Sequence, residues 1–153
     1  VEPIEVTEGG TYTLSPLSEQ ENVLYKIPSP NSETEYFIVE YRVQEGMYDV
    51  NAPGPRSGLV AYRVNTGAGN GNAQGPPDEL YVYRPGGDLN NTGNFDQVPY
   101  SLEYNHTQLN DDTDPSSFLY NEGLGLDGGL NLFNVSDIDL PATTLFLSLF
   151  FIS

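Results

Sequence analysis

No cysteine occurs in these 153 residues, tryptophan is also missing, and there is one methionine, Met47, and one histidine, His106. Without cysteine there is no disulfide framework and no thiol catalysis, so stability must come from the core, with bound ions as a supplement. One histidine cannot make the two-imidazole zinc site of an HExxH helix, and no HExxH occurs. Basic residues are nearly as scarce, five Lys and Arg against 22 Asp and Glu, for a formal charge of −17. Such a chain is repelled by nucleic-acid phosphates and anionic membranes, which leaves cations and basic surfaces as its electrostatic counterparts. Dispersed acidic side chains also keep a protein in solution. Long hydrophobic runs are absent too. The longest, Leu145 to Ile152 interrupted by Ser148, is far short of the roughly 20 residues that span a bilayer, and reads as a buried strand. No window holds apolar residues at helical spacing over three turns without a Gly or Pro.

What is present is a series of short strand-like runs bracketed by Gly, Pro, Asn and Asp. They are Ile4 to Val6, Thr11 to Leu14, Val23 to Ile27, Tyr36 to Val43, Leu59 to Val64, Leu80 to Tyr83, Leu130 to Val135 and Thr144 to Ile152. The fold class expected is all-β: an antiparallel β-sandwich, jelly-roll-like, with residues 1–153 as one domain. Two segments, Asn65 to Asp78 and Asp88 to Ser117, read as irregular. The aromatic supply, eleven Tyr and seven Phe, suits a β core, and Tyr81, Tyr83, Phe118 and Tyr120 fall at strand-like alternation.

Alternation in the fourth run places Tyr36, Ile38, Glu40 and Arg42 on one face and Phe37, Val39, Tyr41 and Val43 on the other. Glu40 and Arg42 are then about 7 Å apart, within reach of a shared hydrogen-bond network with Arg63 from a neighbouring strand. The expected role of that cluster is a partly buried charge group. Oxygen donors recur in Asp88-Leu89-Asn90-Asn91-Thr92-Gly93-Asn94-Phe95-Asp96, with Gly at the sixth position. The spacing imitates the start of a calcium loop, although Pro99 stands where the bidentate Glu belongs. Asp88, Asn90, Asn94 and Asp96 are therefore the first candidate calcium site. Asp111, Asp112 and Asp114 are the second, since three close carboxylates repel unless a cation or N–H groups engage them. Both loops equally suit Asx-rich turns. His106 has no base, nucleophile or second ligand beside it in sequence, and Ser15 and Ser57 lack a G-x-S-x-G context. Three glycosylation sequons, at Asn90, Asn105 and Asn134, are of the kind that arise by chance in an Asn-rich chain.

The stretch Glu35-Tyr36-Phe37-Ile38-Val39-Glu40-Tyr41-Arg42, the turn Asn51-Ala52-Pro53-Gly54-Pro55 and the run Gly58-Leu59-Val60-Ala61-Tyr62-Arg63-Val64 resemble the "EYFLLENR … PG … GLLIWHID" segment of the immune inhibitor A family of secreted zinc metallopeptidases. That segment lies downstream of the family's catalytic helix. Leu80-Tyr81-Val82-Tyr83-Arg84-Pro85-Gly86-Gly87 is similar to the "LYVYRPGG" run of Bacteroidetes-type members. Asn110 to Ser117 and Gly129 to Ser136 look like their "NDTTNPSS" and "GLxIxNIS" blocks, and Gly10 to Leu17 like "GTYTLSPL". Tyr62-Arg63 replaces the family's Trp-His, and Tyr41 its Asn. The resemblance implies a non-catalytic C-terminal accessory β-sandwich of a parent peptidase, secreted or on the surface of a bacterium. Its partner would be the parent's catalytic domain, with Glu40, Arg42 and Arg63 facing it, in support of catalysis or substrate docking. The rival expectation is an extracellular module that binds carbohydrate or protein.

Overall fold

Two eight-residue strands, β4 (Glu35–Arg42) and β5 (Gly58–Asn65), form the centre of the molecule. Both are rich in β-branched and aromatic residues and both carry apolar side chains on each face, as strands covered from two sides do. In the computed structural model, which describes residues 3–7, 10–14, 24–42, 58–67, 80–100, 105–134 and 145–151, they belong to a five-stranded sheet. Its order is β1 (Ile4–Glu5), β3 (Leu24–Pro28), β4, β5 and β6 (Leu80–Val82). A second sheet joins β2 (Gly10–Leu14), β10 (Leu145–Phe151) and β8 (Leu130–Asn131), and a third pairs β7 (Gln108–Leu109) with β9 (Phe133–Asn134).

The all-β expectation stands: the described residues contain strands and two short 3-10 turns, Phe95–Gln97 and Asn121–Gly123. The expectation of purely antiparallel pairing does not, because β1 runs parallel to β3, with Ile4 beside Tyr25 and Glu5 beside Lys26. The large sheet is therefore mixed. The run read as one strand over Leu130 to Val135 is broken at Leu132, whose N–H turns to the Leu109 carbonyl at 2.9 Å. The segment read as irregular between Asp88 and Ser117 contains β7. Among the described residues no helix is long and apolar enough to cross a membrane.

Register sets which side chains share a face. Ile27, Phe37, Arg63 and Tyr81 stand in one row across β3 to β6, and Tyr25, Val39 and Ala61 in the next. This inner face joins Leu109, Phe118, Leu119, Leu130 and Leu132 in one buried apolar cluster. Tyr25, Tyr41, Tyr81, Tyr83 and Tyr100 are all buried, so much of the tyrosine supply is core. The segment before β8 is tied to the turn between β3 and β4: Ser29 Oγ donates to the Gly128 carbonyl at 2.7 Å and Asn31 Nδ2 to that of Asp127 at 2.8 Å.

Candidate functional site

One member of the inner rows is a cation. Arg63 is 2% exposed, and a guanidinium so far from water needs a counter-charge and acceptors. Glu35, on the same strand face and 4% exposed, supplies the charge, with its Oε1 3.3 Å from Arg63 Nε. Arg63 Nη1 donates to the Phe118 carbonyl at 3.2 Å, and the guanidinium carbon sits 4.8 and 5.1 Å from the ring centres of Tyr81 and Phe118. The Tyr83 hydroxyl donates to the same carbonyl at 2.6 Å. Burial pushes that hydroxyl well above the ordinary tyrosine range, against the pull of Arg63, so it remains a donor. Tyr81, Tyr83 and Phe118 meet edge to face, with centroids 5.2 to 5.5 Å apart.

Glu35 also reaches outward. Its Oε1 accepts the Tyr120 N–H at 2.7 Å and its Oε2 the Asn121 N–H at 3.0 Å. These bonds hold a turn in which Asn121, Glu122 and Gly123 adopt φ of 45°, 56° and 88°. Successive residues in the left-handed region persist only where surrounding contacts fix them. Between this turn and the Glu35–Asn65 end of β4 and β5 lies a cleft of about 430 Å³ lined by Ser32, Thr34, Glu35, Asn65, Tyr120 and Glu122 among others. Ser32 Oγ accepts the N–H groups of Thr34 and Glu35 at 3.1 and 3.0 Å, which fixes the opposite wall.

The residues singled out by sequence are distributed differently. Arg63 stands opposite Phe37, whereas Glu40 stands opposite Val60, so the two lie on opposite faces of the sheet and make no common cluster. Glu40 instead accepts the Tyr62 hydroxyl at 2.6 Å, and the Arg42 side chain lies outside the described residues. Sequence reasoning missed Glu35, Asn65 and Tyr120 as a group. The available signal was Arg63 itself, an arginine in an apolar strand that requires a buried acid on the same face.

In the first acidic loop, Asp88 Oδ1 accepts the N–H groups of Asn90 and Asn91, and both its oxygens accept from Asn91 Nδ2. The Asn90 and Asn91 bonds hold the Asp88 carboxyl below its ordinary value. Asn94 accepts the Asp96 N–H at 3.0 Å and starts the first 3-10 turn. In the second loop the three carboxylates go to different partners. Asp111 accepts from Ser117 Oγ and the Gly129 N–H, Asp114 from the Gly86 N–H, and Asp112 is exposed. Among the described residues no three His, Cys, Asp or Glu side chains group as metal ligands.

His106 stacks on Tyr100 at 3.7 Å between centroids, and its two ring nitrogens are buried. Burial pushes the imidazole below its ordinary 6.5, opposed by the nearby Pro99 and Gln97 carbonyls and the Asp114 charge. Because the folded value lies below the unfolded one, the unfolded chain binds the proton more readily. The stability His106 contributes is complete above about pH 6.5 and declines as pH falls toward the folded value. His106→Phe keeps the stacking and cannot protonate. Its melting temperature is expected to fall less than that of the parent chain between about pH 7 and pH 5, and equal falls in thermal scans would contradict this account.

A scan against protein-family models, a search of curated proteins and a search of solved structures each found no match to the chain.

Proposed function

We propose that the chain is the non-catalytic accessory β domain of a secreted bacterial zinc metallopeptidase of the immune inhibitor A type. It would support the parent's catalytic domain or dock its substrate. The observation that carries this reading is where the resembling blocks fall: several are β4, β5, β6 and the Arg84–Gly87 turn, with Asn110–Ser117 joined to that turn through Asp114 and Gly86. Gly10–Leu17 and Gly129–Ser136 contain β2, β8 and β9, and the Asn51–Pro55 turn lies outside the described residues. Those blocks build a buried framework, and the chain has neither HExxH nor a second histidine with which to activate water. With this reading goes a jelly-roll arrangement in which the five-stranded sheet faces the β2–β10–β8 sheet. The polar residues to test at a surface shared with the catalytic domain are Glu40, on the face opposite Arg63, and Arg42, whose side chain lies outside the described residues.

The test is a casein assay with zinc, using the purified chain alone and then the catalytic domain with and without it. The expected result is no cleavage by the chain alone and a change in turnover or stability of the catalytic domain when the chain is present. Zinc-dependent cleavage by the isolated chain, abolished by a substitution within it, would overturn the reading. So would a catalytic domain indifferent to the chain.

A further inference from the structure

We propose that the cleft between the Glu35–Asn65 end of the large sheet and the Tyr120–Glu122 turn binds a saccharide. Its size, about 430 Å³, falls within the range of about 300 to 1,000 Å³ typical of small-molecule sites. Its chemistry narrows the ligand. A cation would need open carboxylates, yet both Glu35 oxygens already accept backbone N–H groups and one also faces Arg63. Glu122 is the other carboxylate of the lining, and it stands exposed. An anion would need basic side chains, and the lining contains no Lys or Arg. Charges on the ligand are thus disfavoured in both directions.

What the cleft does present is a set of short neutral hydrogen-bonding groups on a fixed frame. Asn65 is 7% exposed and its Oδ1 accepts the Gly67 N–H at 3.0 Å, while its amide NH2 has no hydrogen-bond partner among the described residues. That donor makes no hydrogen bond to a described residue and is open to the cleft, so a ligand hydroxyl can take the place of the water that otherwise meets it. Ser32 and Thr34 add hydroxyls, which donate and accept alike. Tyr120 adds the one aromatic ring of the lining, half-buried, against which the C–H face of a sugar ring can pack. The left-handed turn and the Ser32 wall are held by the bonds described above, so the donors and acceptors are in place before a ligand arrives, which lowers the entropic cost of binding. A ring with alternating hydroxyls and an apolar face matches this combination. The inference does not depend on the accessory-domain reading, since an independent binding module would use the cleft in the same way.

The test is saturation-transfer NMR on the full 153-residue chain with glucose, galactose, mannose, N-acetylglucosamine, cellobiose and maltose at millimolar concentration. A glycan array distinguishes free polysaccharide ends from glycoprotein glycans as the source. Transfer to at least one of these sugars is expected. Asn65→Asp keeps the acceptor for Gly67 and removes the donor, and it should weaken binding about tenfold or more, as the loss of a well-placed hydrogen bond does. Tyr120→Ala leaves the backbone N–H to Glu35 intact and should weaken binding by a similar factor. Circular dichroism and melting confirm that each variant is folded, and if one is not, the other decides. Absence of transfer to every sugar and of array signal would overturn the proposal. Binding that persists unchanged in the folded variants would overturn it as well. A casein result against the accessory reading leaves this outcome untouched, so the two failures are distinguishable.

Discussion

Glu35→Ala is expected to destabilise the chain by about 3 to 5 kcal/mol, the cost of leaving a buried charge without its partner. Arg63 would remain 2% exposed with its counter-charge removed, and the Tyr120 and Asn121 N–H groups would lose the acceptor that fixes their turn. In a chain of this length that corresponds to a fall in melting temperature on the order of 10 °C. The companion is the double variant Glu35→Ala with Arg63→Met. Removing both charges eliminates the unpaired guanidinium, so the double variant should recover part of the loss. If the single and double variants melt together, the ion pair is not what the site depends on.

Phe118→Ala should cost a similar amount, about 3 to 5 kcal/mol, through a different mechanism. The ring is 8% exposed and is enclosed by Tyr81, Tyr83 and the Arg63 guanidinium. Truncation leaves a cavity between aromatic edges that cannot close without moving β6. Its backbone carbonyl, which Arg63 and Tyr83 both address, stays in place. Tyr83→Phe separates the two contributions, because it deletes one hydrogen bond and keeps the ring. It should cost about 1 kcal/mol. Denaturant melts of both variants check the ordering, and a Tyr83→Phe loss equal to that of Phe118→Ala would reverse it.

The strands were legible in sequence because their signal is local. The ends of β4 and β5 fall within one residue of the runs read from alternation and turn residues, and β10 emerges from the longest apolar run. Register is not local. Both faces of β5 are mostly apolar, so alternation alone does not say whether Arg63 looks toward Glu40 or Glu35. Only the pairing of Phe37 with Arg63 decides it. The cleft was less legible still, since Tyr120 and Asn121 lie outside every run that reads as a strand, and the alternation of Phe118 and Tyr120 points only to packing. They reach Glu35 across 85 and 86 residues of chain. The acidic loops show the opposite case. Their oxygens were easy to find, and the hydrogen bonds drawn to Asp88 and Asn94 are the local turns that Asx residues make unaided.

The two ends of the large sheet bear on how this protein behaves in company with its own copies. Its longest strands lie in the interior, and among the described residues the order runs out to β1, two residues, on one side and β6, three residues, on the other. A strand edge recruits a neighbouring chain in proportion to the length of backbone it leaves unpaired. Edges this brief offer a passing strand only one or two ladder bonds, and a surface with a formal charge of −17 repels an identical molecule before those bonds can form. Among the described residues the sheet thus offers little template for fibrillar growth at its margins, although most of its hydrogen-bonding capacity resides in two strands long enough to have provided one.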